Sequence, residues 1–371
     1  MRVLTVVGAR PQFIKAAPVS RILRERNSEV LVHTGQHYDD AMSAGFFREL
    51  GIPEPDLNLA VGSGPHGAVT GEMLAGLERA ILEAEPDGVL VYGDTNSTLA
   101  GALAAAKVVY AGGSRPWLAH VEAGLRSFNR AMPEERNRIV ADHLSDLSLA
   151  PTEMAMRNLD REGLSERAEL VGDVMVDAYR WAVERAADHL PTVAREHERY
   201  VLLTLHRAEN VDDPATFARL AEALRVDVPI IFPVHPRTAA MLASGTVRLP
   251  ENVVSIDPVG YLQMVALETS AHAVATDSGG VQKEAYLAGV PCITLRTETE
   301  WVETVDAGWN RVGSGPGALA AALGDVSFMR RDRPRPELFG DGRAAGRIVA
   351  SLDRLDARTR GRAPAEEARI S

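Results

Sequence analysis

The chain has almost no cysteine, no excess of positive charge and no long apolar run. Its single cysteine, Cys292, excludes an intramolecular disulfide and a metal site built from several cysteines. The formal charge of −11 argues against a protein that wraps nucleic acid or lies on anionic lipid, so any phosphate site must be local. No signal peptide or membrane span is visible, and we therefore expect a cytoplasmic protein.

What the chain does contain is a repeated alternation of short apolar runs with helical patterns, which is typical of βα units and parallel sheets. Its 371 residues are too many for one ordinary core and suit two domains. The runs predict a first set of strands at 3–7, 30–34, 88–92, 117–121 and 147–150. A second set is predicted at 201–205, 229–234, 253–256, 272–275 and 292–295.

The two sets predict an α/β protein with two doubly wound, Rossmann-like domains facing each other across a cleft. We place the first domain at 1–172, with a C-terminal helix, 356–371, returning to it, and the second at 173–355. A long polar stretch, 184–198, separates the two sets. In such sheets ligands bind beyond the carboxyl ends of the strands, so functional residues are expected there.

One glycine motif points away from that site. The stretch 62–67 matches G-x-G-x-x-G, and Glu83 follows at about the 20-residue spacing of a dinucleotide site. However, no convincing central strand leads into the motif, and Pro65 lies within the turn. We interpret it as a loop over the cleft rather than a nicotinamide site.

The most informative stretch is DSGGVQKEA at 277–285, which follows a predicted strand and opens a helical pattern. Two glycines at such a turn let a ligand approach the backbone, where free N–H groups and the helix dipole favour an anion. Ser278, Gly279 and Gly280 therefore form a candidate phosphate cradle. Glu284, one turn further, is placed to accept hydrogen bonds from sugar hydroxyls. The alternative is a tight turn with a Ser or Asp N-cap and no ligand.

Ionisable residues also follow other predicted strands, or begin the helix at Pro133. They are Arg10, Lys15, Asp94, Glu122, Arg126, Glu134, Arg138, His206 and His235. Each has an ordinary explanation: Asp94 as a helix cap, Glu134 paired with Arg138 at i,i+4, and the histidines with satisfied hydrogen bonds. Together with the cradle, they predict a site that holds a diphosphate and moves protons.

Six segments, in this order, resemble the non-hydrolysing UDP-N-acetylglucosamine 2-epimerases. They are GARP at 8–11, GDT at 93–95, HVEAGLR at 120–126, PEE at 133–135, HRAEN at 206–210 and DSGG at 277–280. The resemblance extends to about Leu355. It implies a fold like that of the B-class glycosyltransferases, a homodimer, and inversion at C2 of a UDP-linked 2-acetamido sugar without a metal or redox cofactor.

The implied reaction is elimination of UDP to a 2-acetamidoglucal, followed by readdition with protonation from the other face. It needs a base, an acid and cations for the departing diphosphate. The resemblance puts the family's acidic trio on Asp94, Glu122 and Glu134. His206 is counted with the trio as a catalytic residue, because it supplies a cation for the departing diphosphate. The residues expected to bind UDP or the rest of the substrate are Arg10, Lys15, Arg138, His235, Ser278, Gly279, Gly280, Glu284 and Arg296.

The chain departs from the commonest family pattern at three places. Gln12-Phe13 replaces Glu-Ala, the segment between Arg126 and Pro133 is shorter, and 299–303 reads TEWVE where TERPE is usual. These variants resemble the branch acting on UDP-2,3-diacetamido-2,3-dideoxyglucuronate. We expect them to lie in loops that face the hexose.

A uronate carboxylate would need a cation, and Arg126, Arg130 and Arg296 lie in or beside these segments. The alternative is that these arginines pair with Glu298, Glu300 or Glu303. Gln36 and His37 lie near a position where some family members are activated by substrate, and are regulatory candidates.

The favoured prediction is a non-hydrolysing isomerase that converts UDP-N-acetylglucosamine to UDP-N-acetylmannosamine. The same reaction on the diacetamido uronate stays open, as does a hydrolysing epimerase that releases UDP and free N-acetylmannosamine. A non-catalytic UDP-sugar-binding protein is the alternative of another class. It would need the cradle but not Asp94, Glu122 and Glu134.

Overall fold

The computed structural model describes residues 1–35, 49, 51–315 and 317–361, apart from the side chain of Arg10. The chain forms two compact units, which we call unit 1 and unit 2. Unit 1 comprises Met1–Ala178 and the chain from Phe339 onward, and unit 2 is Tyr179–Leu338.

These limits differ from the predicted boundaries after 172 and 355. The chain rejoins unit 1 already at Phe339, whose carbonyl accepts a hydrogen bond from Asp173 N at 2.9 Å. The next helix is tied there as well, because Ala344 N and Ala345 N both donate to the carboxylate of Asp177. The sequence carries no composition change at Phe339 that would reveal these contacts.

Each unit is built on a parallel sheet. Among the described residues, unit 1 has seven strands in the order β3-β2-β1-β4-β5-β6-β7 and unit 2 has six in the order β10-β9-β8-β11-β12-β13. The strands are β1 (Arg2–Val7), β2 (Ser28–His33), β3 (Leu57–Asn58), β4 (Gly88–Tyr92), β5 (Trp117–Val121), β6 (Leu147–Ala150), β7 (Ala168–Leu170), β8 (Val201–Thr204), β9 (Ile230–Pro233), β10 (Val253–Ile256), β11 (Ala273–Thr276), β12 (Cys292–Thr294) and β13 (Asn310–Val312). Both orders reverse once, as in a doubly wound sheet.

Helices connect the strands. In chain order they are α1 (Arg10–Leu23), α2 (His66–Ala84), α3 (Asn96–Lys107), α4 (Pro133–Leu144), α5 (Glu153–Arg161), α6 (Val174–Ala186), α7 (Thr192–Arg195), α8 (Ala208–Val211), α9 (Pro214–Ala223), α10 (Pro236–Ala243), α11 (Tyr261–Ser270), α12 (Gly279–Ala288), α13 (Val302–Asp306), α14 (Ala318–Gly324), α15 (Val326–Met329) and α16 (Ala344–Gly361). Short 3₁₀ turns lie at Ser165–Arg167 and Ala187–His189. None of the described helices is long and apolar enough to cross a membrane.

The central strands are buried on both faces, which explains why they read as continuous apolar runs. Every residue of β4 and β5 is buried. Because helices cover both sides of a parallel sheet, no polar face remains to alternate with the apolar one. In α3, a Cβ at Gly101 would lie 2.9 Å from Val91 Cγ1, so a glycine lets this helix pack closely on the sheet.

All ten predicted strands are present, with small differences at their ends. Sequence reasoning missed β3, β7 and β13, which are edge strands of two or three residues. Such short pieces carry too few residues to show a hydrophobic pattern. The glycine-containing stretch at 62–65 follows the edge strand β3 as a loop, and α2 begins at His66.

Candidate active site

Glu122 lies in a sharp turn directly after β5. Its φ of +71° is in the left-handed region, which is uncommon for a residue other than glycine and is often seen at functional sites. Its carboxylate pairs with Lys15 of α1, and both side chains are mostly buried. A Cβ at Gly93 would lie 3.2 Å from Glu122 Oε2 and 3.4 Å from Lys15 Nζ, so the end of β4 also borders this pair.

Asp94 follows β4 and does not cap the next helix. The cap of α3 is Thr95, whose side chain accepts a hydrogen bond from Thr98 N. The Asp94 carboxylate instead pairs with Arg138 of α4, and its side chain keeps 32% exposure. Asn137 of the same helix donates to the Asp94 carbonyl at 2.9 Å. The capping explanation is therefore wrong, and α4 holds Asp94 in place.

Glu134 and Glu135 are neighbours in the first turn of α4 with opposite environments. Glu135 is buried and accepts hydrogen bonds from Ser127 N, Ser127 Oγ and Phe128 N, at 2.8 to 2.9 Å. It also pairs with Arg138 at 3.1 Å. Glu134 is exposed. The alternative explanation of Glu134 as the ion-pair partner of Arg138 is wrong, because Arg138 is engaged by Glu135 and Asp94.

The side-chain positions of three predicted residues are not described. Arg10 begins α1, but its side chain lies outside the described atoms. Gln36 and His37 lie outside the described residues altogether.

In unit 2, the predicted cradle forms the N-terminus of α12. The cap is Ser278, whose hydroxyl accepts from Val281 N, and not Asp277. A Cβ at Gly280 would meet only Ser278 Oγ, at 3.8 Å, so this position is open. A Cβ at Gly279 would collide with the carboxylate of Glu300. The cradle therefore already has an acidic side chain beside its first glycine.

Glu300 is the centre of a small ion cluster. Its carboxylate pairs with Arg296 Nη1 at 2.6 Å and lies 3.7 Å from Arg207 Nη2. Burial by itself raises the pKa of Glu300, but the hydrogen bond and charge of Arg296 outweigh it, so the pKa is lowered. For Arg296, the alternative that it pairs with a nearby glutamate is therefore correct, and the partner is Glu300.

The other variant segments also differ from expectation. The side chain of Arg126 is buried and binds Asp142 at 2.7 Å and Glu162 at 2.8 Å, rather than any of the three glutamates named as alternative partners. Gln12 and Phe13 are not in a loop: both are buried within α1. Gln12 accepts hydrogen bonds from Gly8 N and Ala9 N and donates to the Tyr92 carbonyl, so it caps α1 and ties it to β4.

The segment 299–303 is fixed on α12. Thr299 Oγ1 donates to Gln282 Oε1 at 2.6 Å, and the ammonium of Lys283 lies 4.4 Å from the centre of the Trp301 ring. This cation–π contact and the hydrogen bond hold Glu300 beside the cradle.

His206 is oriented by Asp277, which sequence reasoning treated only as a possible cap. Asp277 Oδ1 lies 3.2 Å from His206 Nδ1, and its carboxylate accepts hydrogen bonds from His206 N, Arg207 N and Asn210 Nδ2. Burial raises the pKa of Asp277, but the hydrogen bond and charge of His206, with Asn210, outweigh it and lower the pKa. The ring centres of His206 and His235 are 5.5 Å apart, so the two predicted histidines lie next to each other.

Glu284 lies inside unit 2 and is 5% exposed. Its neighbour Glu268 is fully buried, and burial together with the charge of Glu284 raises the pKa of Glu268 well above its ordinary value. The two carboxyl groups therefore lie together inside unit 2. The position of Glu268 in the middle of the apolar run of α11 gave no sign of this placement.

The structure thus gathers two sets of predicted residues. Lys15, Asp94, Glu122 and Arg138 surround the carboxyl ends of β4 and β5, and Glu134 lies in the first turn of α4, the helix that carries Arg138. His206, His235, Ser278, Gly279, Gly280 and Arg296 surround the carboxyl ends of the unit 2 strands. Across the described residues, no group of three or more His, Cys, Asp or Glu side chains is placed to hold a metal ion.

The fold is that of the B-class glycosyltransferases. A calicheamicin glycosyltransferase structure matches 96% of this chain and 98% of its own with a TM-score of 0.55, and at 14% identity this likeness concerns the fold alone. More specifically, the chain belongs to the UDP-N-acetylglucosamine 2-epimerase family of isomerases, whose model matches residues 21–353.

Two relatives cover nearly the whole chain. A UDP-2,3-diacetamido-2,3-dideoxy-D-glucuronate 2-epimerase from Pseudomonas aeruginosa is 46% identical over 364 residues, 96% of this chain and 100% of that protein. The crystal structure of Methanocaldococcus jannaschii UDP-GlcNAc 2-epimerase in complex with UDP-GlcNAc and UDP is 40% identical. It covers 95% of this chain and 100% of its own, with a TM-score of 0.83. The predicted family and fold are confirmed.

Proposed function

We propose that this protein is a non-hydrolysing 2-epimerase that interconverts UDP-N-acetylglucosamine and UDP-N-acetylmannosamine. The observation that carries the proposal is the set of carboxylates at the carboxyl ends of β4 and β5. Glu122 and Asp94 are each held by a cation, Lys15 and Arg138, while Glu134 stands exposed on the same helix as Arg138. A protein that only binds nucleotide sugars has no need of three such carboxylates.

The reaction begins when the C1–O bond breaks and its electron pair leaves on the diphosphate oxygen. One carboxylate removes the C2 proton, giving UDP and a 2-acetamidoglucal. UDP then adds back at C1, and a carboxylic acid protonates C2 from the opposite face. General acid and base groups of this kind each contribute about 10²- to 10⁴-fold to a rate. We assign these two roles to the trio Asp94, Glu122 and Glu134 as a set.

Unit 2 supplies the groups that suit the diphosphate. The N-terminus of α12 at Ser278–Gly280 offers backbone N–H groups and the positive end of the helix dipole. His206, oriented by Asp277, and His235 stand at neighbouring strand ends. From the family resemblance, we also propose Arg10 and Lys15 as cations for the departing diphosphate.

The diacetamido uronate is a second candidate substrate, favoured by the 46% identity to an enzyme named for it and by the variant segments. The arginines proposed for its carboxylate are already engaged. Arg126 is bound by Asp142 and Glu162, and Arg296 by Glu300. Recognition of a uronate by Arg296 would therefore require it to exchange Glu300 for the sugar carboxylate.

The deciding experiment is NMR of UDP-N-acetylglucosamine incubated with the protein in deuterated water. We expect deuterium at C2 of both UDP-N-acetylglucosamine and UDP-N-acetylmannosamine. Free N-acetylmannosamine with stoichiometric UDP would show a hydrolysing enzyme instead. Binding of UDP without exchange into either nucleotide sugar tested would leave a non-catalytic binding protein.

Comparison of kcat/KM for the two nucleotide sugars then identifies the substrate. A preference of about a hundredfold, equivalent to about 2.7 kcal/mol, in either direction rules out the other as the natural substrate. We also propose, from the family resemblance, that the enzyme is a homodimer, which analytical ultracentrifugation tests directly.

A further inference from the structure

The left-handed turn that carries Glu122 needs something to hold it. The turn is followed by Gly124, with φ +80°, where a Cβ would collide with the carbonyl of Ala155. On the sheet side, the N–H groups of Glu122 and Ala123 both donate to the carbonyl of Leu149, at 3.1 Å each. Two donors sharing one acceptor do not by themselves fix the backbone of the turn from which the Glu122 carboxylate reaches Lys15.

A buried carboxylate on α4 supplies the missing constraint. Asp142 is fully buried, and it touches the turn at three places. Its Oδ1 lies 2.7 Å from His120 Nδ1, and its Oδ2 accepts from Gly124 N at 3.1 Å and pairs with Arg126 Nη1 at 2.7 Å. The Asp142 side chain therefore contacts His120, Gly124 and Arg126, which lie two residues before, two after and four after Glu122.

His120 connects Asp142 to the end of the neighbouring strand, β4. Its Nε2 lies 2.7 Å from the carbonyl oxygen of Gly93, the residue before Asp94. A carbonyl oxygen only accepts, so the Nε2 of His120 donates to Gly93. Arg126 binds both Asp142 and Glu162. Burial raises the pKa of Asp142, but the hydrogen bonds and charges of His120 and Arg126 outweigh it and lower the pKa.

We infer that Asp142 and His120 are positioning residues for the proton transfers, the first for Glu122 and the second for the backbone leading to Asp94. This inference rests on the proposed function. Neither residue reaches the exposed end of the site: both are fully buried. They act through the two carboxylates whose distance and direction the reaction depends on, because small misplacements of catalytic groups are costly in rate.

A purely structural role is the alternative, and energetics argue against it. A buried cluster of charges is not a cheap source of stability, because desolvation offsets much of the attraction between the charges. The cluster instead fixes the positions of backbone segments, because its bonds end on Gly93, Gly124 and Arg126. These residues lie next to or near Asp94 and Glu122 in the chain.

The test uses Asp142→Asn and His120→Asn in the full chain, with His143→Gln as the matched control. Asn at 120 can keep the donor to Asp142 while losing the bond to Gly93. His143 meets the same cluster only at its exposed edge, 3.2 Å from Glu162. We expect kcat to fall by about ten- to a hundredfold in both test variants, the worth of a charge-assisted hydrogen bond. KM, the Kd for UDP and the activity of the control should stay within about twofold of wild type.

One further readout separates positioning from stability. A misplaced acid should let the intermediate escape, so the ratio of free 2-acetamidoglucal to epimer should rise in the test variants and not in the control. Folded variants with unchanged kcat and unchanged product ratio would overturn the inference. If Asp142→Asn does not fold, His120→Asn still decides.

The wild-type enzyme offers an independent check. In ¹⁵N NMR of the labelled protein at neutral pH, Nε2 of His120 should carry a proton. An Nε2 without a proton would contradict the proposed bond to Gly93. Failure of the proposed function itself would look different, because wild-type protein would then incorporate no deuterium at C2 of either nucleotide sugar.

Discussion

Each unit holds a buried aspartate beside a histidine near a strand end. Asp142 and Asp277 are both fully buried, and each accepts from the backbone of the neighbouring loop, Asp142 from Gly124 N and Asp277 from His206 N and Arg207 N. Each also touches an imidazole Nδ1, at 2.7 Å for His120 and 3.2 Å for His206. The two aspartate–histidine pairs are built alike, but they differ in the surroundings of the second ring nitrogen, Nε2.

His120 is fully buried, and its Nε2 makes a hydrogen bond to the carbonyl of Gly93. The side chain of His206 is 38% exposed, and in the described part of the chain its Nε2 has no hydrogen-bond partner. The same pairing therefore gives a fully buried imidazole with both nitrogens engaged in unit 1 and a partly exposed imidazole in unit 2. This difference agrees with the proposed division of work, in which carboxylates of unit 1 transfer protons and unit 2 binds the diphosphate.

The largest expected effect comes from the carboxylates of unit 1. Asp94→Asn, Glu122→Gln and Glu134→Gln should each lower kcat by about 10²- to 10⁴-fold, because an amide has the size of the acid but no proton-transfer function. The Kd for UDP, measured by calorimetry, should change little. Activity that survives in all three variants would show that these residues are structural.

Glu135→Gln is the control for Glu134→Gln. Because the buried Glu135 accepts three hydrogen bonds and an arginine, its amide should lower the free energy of unfolding by about 1–3 kcal/mol. Thermal unfolding should show this loss for position 135 and not for the exposed position 134.

Gly280→Leu should weaken UDP binding by about ten- to a hundredfold, the worth of a charge-assisted hydrogen bond at the helix N-terminus. The position is open in the protein itself, so the fold should tolerate the larger residue. Gly279→Ala is the contrasting variant, because there the new methyl group meets Glu300. Calorimetry that finds normal UDP affinity in Gly280→Leu would place the phosphates elsewhere.

Asp277→Asn sharpens the comparison of the two histidines. Loss of the carboxylate should leave His206 poorly oriented and lower UDP affinity by about tenfold, the lower end of the range for a hydrogen bond to a charged group. Asp142→Asn should leave UDP affinity unchanged. Equal losses of UDP affinity in the two variants would mean that the units do not divide the work in this way.

Glu300→Gln should change sugar preference by a smaller factor. A neutral side chain at 300 holds Arg296 less firmly, which frees the guanidinium for a carboxylate on the sugar. We expect kcat/KM for the diacetamido uronate to rise relative to UDP-N-acetylglucosamine by about tenfold or less, that is about 1.4 kcal/mol or less. A ratio that stays constant would remove Arg296 from sugar recognition.

The smallest effect concerns acid stability. The pKa values of Asp142 and Asp277 are both lowered on folding. Their contribution to stability is therefore complete above the ordinary aspartate value of 3.8 and is lost as the pH falls through the lower folded-state values. Replacement of either by Asn should flatten the acid side of the curve of unfolding free energy against pH, measured by urea titration.

Much of this architecture is readable from the sequence, because buried parallel strands and helix-opening glycines leave local patterns. The strands β4, β5 and β6 match the predicted spans residue for residue. The same local logic failed for Gln12 and Phe13, since a helix that begins at Arg10 looks like a loop when it follows Gly8 and contains Pro11. It also failed at the return to unit 1, which depends on contacts of Phe339 with residues far away in the chain.

The sequence by itself determined which residue types stand at the strand ends: Asp94, Glu122, His206 and the glycines of the cradle all follow apolar runs that could only be buried strands. The tertiary structure alone decided their partners. Arg138 binds Asp94 and Glu135 rather than Glu134, and Glu300 stands beside Gly279. Asp142 reaches back 22 residues to His120, and Asp277 reaches 71 residues to His206. The physical reason is that strand burial is encoded within a few neighbouring residues, whereas an ion pair depends on where separate elements bring their side chains together.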